Sequence, residues 1–402
     1  MTYRDNSLPL ARPALLIAGL LLIAANLRAP ITGVAPLLEP IRSAFSLSPA
    51  QAGLLTTLPL LAFAAVSPFA AGFARRWGLE RVLFTALILI AAGVALRSAG
   101  TLGCLYLGTG IIGAGIAVGN VLLPGLIKRD FAASRVATVT GTCAVTMGAA
   151  AAIASGGAVP LAGHIGWPAA LAAVIVFPLI AMLLWSAQLG ARTAPAADAA
   201  VPPPPGRIWH SALAWQVTLF MGINSTLYYV MVAWLPAILA AKGFTPAAAG
   251  SLHGVMQLSA ALPGLVLGPI IARLKDQKLI GAAAGALMAV ALLGFLLLPT
   301  WATLWAFFLG VSSGGGLTLA LIFMSLRASH VHQAAALSGM AQSIGYLLAA
   351  TGPILAGKAR DLTGDWRALL LVGVVLAGVM AVFGALAGRD RQIGGHHPPN
   401  RP

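Results

Sequence analysis

Arg28 lies inside an apolar run, Leu15 to Leu38, whose only other polar members are Asn26 and Thr32. A guanidinium near the centre of a membrane-crossing helix costs about 2.5–3.5 kcal/mol on insertion scales, so a residue of this kind is expected to face an internal, watery space. Its planar fork is always charged and grips a carboxylate or another delocalised anion at two points. Asn26 adds an amide two residues earlier. Pro30, two residues later, removes the hydrogen bond to the Asn26 carbonyl and leaves that oxygen bare. The structural alternative for Arg28 is to hold backbone carbonyls or to neutralise Glu39.

Other polar residues at membrane depth join this candidate solute site. Pro124 frees the carbonyl of Asn120 as Pro30 frees that of Asn26, and broken backbone is tolerated in a bilayer only where protein or water satisfies it. Asn224 and Tyr228 share one helical face, as do His253 with Gln257 and Gln342 with Tyr346. An offset of 200, taken from the matched prolines Pro36 and Pro236, sets Tyr228 against Arg28 and predicts that the two face each other. His253 is a candidate for solute contact or for carrying a proton. Packing roles compete throughout: Tyr228 and Tyr229 as core aromatics, His253 as a satisfied helix neighbour. Thr142 and Thr146 are expected to bond their own helix backbone.

The chain around these residues is built for lipid. Of 402 residues, 59% are hydrophobic and 8% charged, with a mean hydropathy of +0.93. No soluble domain hides that much apolar surface. The net charge of +15 therefore reads as loop charge on one membrane face, and nucleic acid is not an expected partner. Cys104 and Cys143 stand in separate apolar segments without metal-ligand spacing, so neither a disulfide framework nor a metal is expected.

Polar breaks predict an all-α membrane protein with twelve transmembrane helices, at roughly 13–38, 50–74, 82–99, 102–127, 135–160 and 167–189, then 209–239, 247–272, 279–299, 301–326, 333–357 and 366–388. The first half covers 1–189, a proline-rich linker containing Pro202 to Pro205 covers 190–208, the second half covers 209–392, and 393–402 reads as a disordered tail. With both termini on one side, that side carries 17 of the 24 Lys and Arg and the other 6 (Arg42, Arg97, Lys242, Lys358, Arg360, Arg367), with Arg28 in between. The asymmetry predicts cytoplasmic termini and a multi-pass protein of a bacterial inner membrane.

The halves repeat. Ser48-Pro-Ala-Gln-Ala-Gly53 matches Thr245-Pro-Ala-Ala-Ala-Gly250 at an offset of 197, each a hydroxyl cap with proline at the first helical position. Gly113-Ala-Gly115 is aligned with Gly314-Gly-Gly316, and Gly141 with Gly339. Two six-helix halves of the same topology predict a parallel repeat whose site lies at the interface between them.

Three stretches carry a family resemblance: Asn26-Leu-Arg28 with Pro30, Leu54-Leu-Thr-Thr-Leu-Pro59, and Pro124-Gly-Leu-Ile-Lys-Arg-Asp-Phe131. In these the chain resembles the major facilitator superfamily, and within it the cyanate and 2-nitroimidazole transporter family. The resemblance implies a pseudo-symmetric bundle and small polar or anionic substrates. Ala29 separates Arg28 from Pro30 where that family usually joins arginine to proline.

Function classes narrow accordingly. All nine acids fall in loops, tails or span ends, which disfavours a pump holding cations on a buried carboxylate. The expectation is a secondary transporter of a small anionic or polar organic solute, working by alternating access with Arg28 as anchor. Its partners are that solute, the bilayer and, as a further candidate, a coupling proton; it is expected to act as a monomer without cofactor. The alternative is a proton-coupled drug efflux pump of the same fold. An enzyme would need an acid, nucleophile or metal cluster that the sequence does not offer.

Overall fold

The computed structural model describes residues 13–131, 133–189, 208–271, 273–329 and 331–393, all helical or in short turns. The first half comprises α1 (Pro13–Asn26), α2 (Ala29–Thr32), α3 (Leu38–Phe45), α4 (Pro49–Trp77), α5 (Leu79–Arg97), α6 (Leu102–Asp130), α7 (Ala133–Ala173) and α8 (Val176–Ser186). The second comprises α9 (Ala212–Ala241), α10 (Pro246–Ser259), α11 (Leu262–Ile271), α12 (Lys278–Leu297), α13 (Ala302–Leu326), α14 (Val331–Thr363) and α15 (Arg367–Ala387). Ten stretches are long and apolar enough to cross a membrane. One of them, Thr138–Ser186, is two crossings joined at Gly166, whose φ of 79° only glycine adopts without strain. α14 is more polar but packs along α4 and α9 as the twelfth.

Caps start the long helices where their sequences predict. Ser48 accepts from Gln51 N–H while the Gln51 side chain accepts from Ser48 N–H, and Thr245 accepts from Ala248 N–H. Three spans are broken instead of continuous, the sixth of them at Val174 and Ile175, between α7 and α8. The first ends as helix at Asn26 because Pro30 has no N–H to return to that carbonyl; Leu27 and Arg28 turn in tightly to Ala24 and Ala25. The eighth stops at Ser259, four residues before Pro263, and restarts at Leu262. Residues 190–207 of the expected linker and 394–402 of the expected tail lie outside the described residues. The packed second half is longer than expected at both ends: Ile208 is buried in its core, and Ile393 is buried with its N–H on the Arg327 carbonyl.

Equivalent contacts fix the repeat register. Gly113 packs on Pro59 and Ala62; Gly310 packs on Met256 and Ser259, each residue displaced by 197. Gly115 meets Ala86 of α5, and Ser312 bonds the Ala284 carbonyl of α12. The alignment of Gly113 with Gly314, an offset of 201, is therefore corrected: Gly113 corresponds to Gly310. Sequence letters favoured the glycine triplet, but helix-to-helix approach selects the glycine that faces the neighbouring backbone. The register also revises one expectation in the first span. Leu27 packs on Gly119 and Asn224 on Gly316, so Tyr228 is not the repeat counterpart of Arg28.

One end of each half is tied by a buried polar lock that was not anticipated. Arg129, at the end of α6, pairs with Glu80 at the start of α5, whose carbonyl accepts from Trp185 Nε1 at 3.1 Å. In the second half Arg327 bonds Gln277, Ala387 and Gly388 in the same three places.

Candidate solute site

The halves are bonded to each other at the end that carries Pro49 and Pro246, and α7 continues along α10 and α11 as far as Gly141 against Leu265. Among the described residues, hydrogen bonds between the halves occur only there: Ala50 N–H to Asp361, Thr57 Oγ1 to the Ala350 carbonyl at 3.1 Å, and Ser155 Oγ with the Gly250 carbonyl at 3.0 Å and with His253 Nδ1 at 2.7 Å. Small residues let the backbones touch. A Cβ on Gly53 would stand 2.7 Å from the Pro353 oxygen, and one on Gly250 3.0 Å from that of Ser155, two contacts related by the repeat. In lipid no hydrophobic force drives helices together, so this close approach is what holds the two surfaces.

Arg28 sits at the inner edge of this contact, on the two-residue break between α1 and α2. Its guanidinium lies over the ring of Tyr228 from the other half, 4.9 Å from the centroid. Arg28 and Tyr228 thus face each other as expected, although not as repeat equivalents. Arg28 is half-buried, and no hydrogen bond or ion pair engages its guanidinium among the described residues. Glu39 does not neutralise it: that carboxylate pairs with Arg42 at 2.7 Å. Bare carbonyls are instead held by Arg97, which the charge count had set in an outer loop. Arg97 is 1% exposed and donates to the Pro30 carbonyl at 2.6 Å and the Leu171 carbonyl at 3.4 Å. It ties the broken first span, and with it Arg28, to the body of the first half.

A chain of side chains leads away from the anchor. Tyr228 Oη donates to Gln257 Oε1 at 2.6 Å, Gln257 Nε2 lies 3.2 Å from His253 Nε2, and His253 Nδ1 lies 2.7 Å from Ser155 Oγ. Tyr229 packs edge-on to Tyr228 at 5.1 Å, and both Tyr229 and Tyr346 lie within range of the Arg28 charge. Tyr346 also packs edge-on against Phe63 of the other half. Thus Arg28, Tyr228 and Tyr346 converge, while Gln257 and His253, expected to face solute, are 2% and 0% exposed and stand behind Tyr228 with their polar atoms bonded to protein.

The remaining expected residues do not. Asn26 and Asn224 are 0% and 2% exposed, so the expectation that they face solute is corrected. Asn26 Nδ2 bonds the Leu22 carbonyl and Asn224 Nδ2 the Ser313 carbonyl; each Oδ1 is buried without a donor. Asn224 points into helix packing because Gly316 admits it, and Asn26 turns back on its own helix. Asn120 is exposed on α6, next to Gly119, which packs on Leu27, and it takes no part in the chain of hydrogen bonds. Gln342 bonds Ser338 of its own helix at 2.8 Å. Thr142 likewise bonds the Thr138 carbonyl. Ser155, Tyr229 and Arg97 were not anticipated. Ser155 stands in a run of alanines and glycines that reads as packing surface, and Arg97 closes its apolar run like an ordinary loop charge.

Twelve spans in two repeated halves, with an unpaired guanidinium where the halves meet, define a membrane solute transporter. The chain belongs to the major facilitator superfamily, whose family model matches residues 16–353. It is 53% identical over 379 residues to the 2-nitroimidazole transporter of Escherichia coli (strain K12), covering 94% of this chain and 96% of that protein. It is 28% identical over 366 residues to the cyanate transport protein CynX of the same organism, covering 89% and 94%. A solved bacterial homologue of the human lysosomal transporter Spinster, in an inward-facing and occupied conformation, shares the fold with a TM-score of 0.75 at 16% identity, over 95% of this chain and 99% of that one. The protein is a multi-pass membrane transporter and not an enzyme.

Proposed function

We propose that the chain carries a small anionic or electron-rich polar organic solute across a bacterial inner membrane by alternating access, with Arg28 as its anchor. The observation that carries this reading is the unpaired guanidinium at the interface between the halves. Its five N–H donors are free for a guest, and a guest bound there touches both halves. The relatives' substrates suggest the guest's size and chemistry: a nitro-substituted azole or an anion of similar size. Setting aside Arg97 as buried, the other cationic residues still favour the end opposite Pro49 as cytoplasmic, 17 to 5. On this reading the closed end faces outward, both termini lie inside and a single chain suffices for transport. Counterflow of labelled 2-nitroimidazole into proteoliposomes tests the reading. Exchange saturable by unlabelled solute is the expected result; uptake equal to that of empty liposomes overturns it.

The closed end yields a second expected outcome. A leucine at Gly53 or Gly357 must push apart backbones that stand 2.7 Å from Pro353 O and 2.5 Å from Pro49 O once a Cβ is added. Overpacking of this kind costs about 1–3 kcal/mol, a shift of about 5–150-fold toward the state open at that end. Ala350→Cys, in a background lacking Cys104 and Cys143, is expected to gain labelling by an impermeant maleimide in the same proportion.

A further inference from the structure

Ser155 has one hydroxyl hydrogen, and the Gly250 carbonyl at 3.0 Å takes it. Ser155 Oγ is therefore an acceptor toward His253, whose Nδ1 lies 2.7 Å away and must carry the ring proton. The neutral ring then offers bare Nε2, which accepts from Gln257 Nε2 at 3.2 Å. That orients the Gln257 amide with Oε1 toward Tyr228, whose O–H is committed to it at 2.6 Å. With the Ser155 hydrogen on the Gly250 carbonyl, the links share one direction, from Tyr228 through Gln257, His253 and Ser155 to a backbone oxygen. At its far end the Tyr228 ring lies under the Arg28 guanidinium, and its Oη, already donating to Gln257, is left with lone pairs only.

We propose that Ser155 is a positioning residue which, through His253 and Gln257, makes Tyr228 an acceptor and so selects solutes that carry an N–H or O–H donor beside the electron-rich group held by Arg28. This rests on the anchoring role of Arg28 proposed above. The His253 ring is fully buried, and buried N–H groups without acceptors are rare. Without the Ser155 oxygen the ring proton moves to Nε2, the Gln257 amide turns over, and Gln257 Nε2 donates to Tyr228 Oη. The tyrosine hydrogen is then released toward the guest, and the preference reverses. Because Ser155 belongs to the first half and His253 to the second, the constraint holds only while this end is closed.

The probes are 2-nitroimidazole and 1-methyl-2-nitroimidazole, which lacks the ring N–H. In proteoliposome counterflow the wild type is expected to favour the first by at least about threefold in half-saturation, the span of one neutral hydrogen bond. Ser155→Ala and the near-isosteric Ser155→Cys, a poor acceptor, are expected to bring the ratio to about one or below, and Ser155→Thr to restore it. A purely structural serine would alter uptake of both probes alike. Equal handling of the two by wild type, or a wild-type ratio in both Ser155→Ala and Ser155→Cys, overturns the inference while leaving the anchor intact. Unchanged uptake of both probes in Arg28→Ala removes the anchor itself, and the inference with it.

Discussion

Arg28→Ala is expected to reduce solute affinity by at least about thirtyfold while leaving the protein folded. Truncating one partner of a buried charge-assisted contact costs about 2–5 kcal/mol, and 2 kcal/mol is already about that factor. The fold should survive because the guanidinium supports nothing but the Tyr228 ring, a contact worth about 0.5–2 kcal/mol. Arg28→Lys keeps the charge but not the fork, so an intermediate loss is expected for a planar guest. Binding isotherms in detergent, with melting temperatures measured alongside, separate the two effects. A drug efflux pump relying on apolar contact would show little change in either variant. Full affinity in Arg28→Ala would therefore favour that alternative and remove the anchor from the mechanism.

Arg97→Leu is expected to act in the opposite sense, on stability first and on binding through it. Arg97 satisfies the Pro30 and Leu171 carbonyls where no water reaches. Leaving a buried acceptor unpaired costs about 1–3 kcal/mol, so the two together amount to about 2–6 kcal/mol. Some of this is offset because the guanidinium is itself buried with Nε unpaired. The break that carries Arg28 also loses its tether, so affinity should fall even in the fraction that stays folded. Arg97→Lys supplies one compact donor group and should retain the Pro30 contact alone. Melting curves and binding measured on the same samples check both parts. A melting temperature equal to that of wild type in Arg97→Leu would exclude the tether.

The two arginines show what a linear reading resolves. Each closes or interrupts an apolar run, and each is costly in lipid unless partnered. Arg28 stood out because apolar residues continue on both sides of it, so no loop was available to explain its charge. Arg97 is followed at once by Ser98, Ala99 and Gly100, and so looks like any charge at a span end. Only the folded chain brings the Pro30 carbonyl to it, across 67 residues. The asparagines failed for the complementary reason. Asn26 and Asn224 are polar at membrane depth, as a lining residue would be, yet Asn26 bonds the Leu22 carbonyl of its own helix and Gly316 lets Asn224 point into packing.

Length, hydropathy and punctuation by proline, glycine and capping hydroxyls determined the number of spans, their pseudo-symmetry, the asymmetry of charge and the presence of a guanidinium inside an apolar span. Those properties depend on how each segment meets lipid or its own backbone, and a segment carries that information by itself. Tertiary structure decided which polar side chains meet: Arg28 over Tyr228, His253 between Gln257 and Ser155, Arg97 on a broken helix from another span. It also decided the register of the repeat, 197 rather than 201 in spans four and ten, because close helix approach depends on which small residue faces the neighbouring backbone. That choice is made by rotation and depth of whole helices against one another, quantities that no local pattern in the sequence specifies.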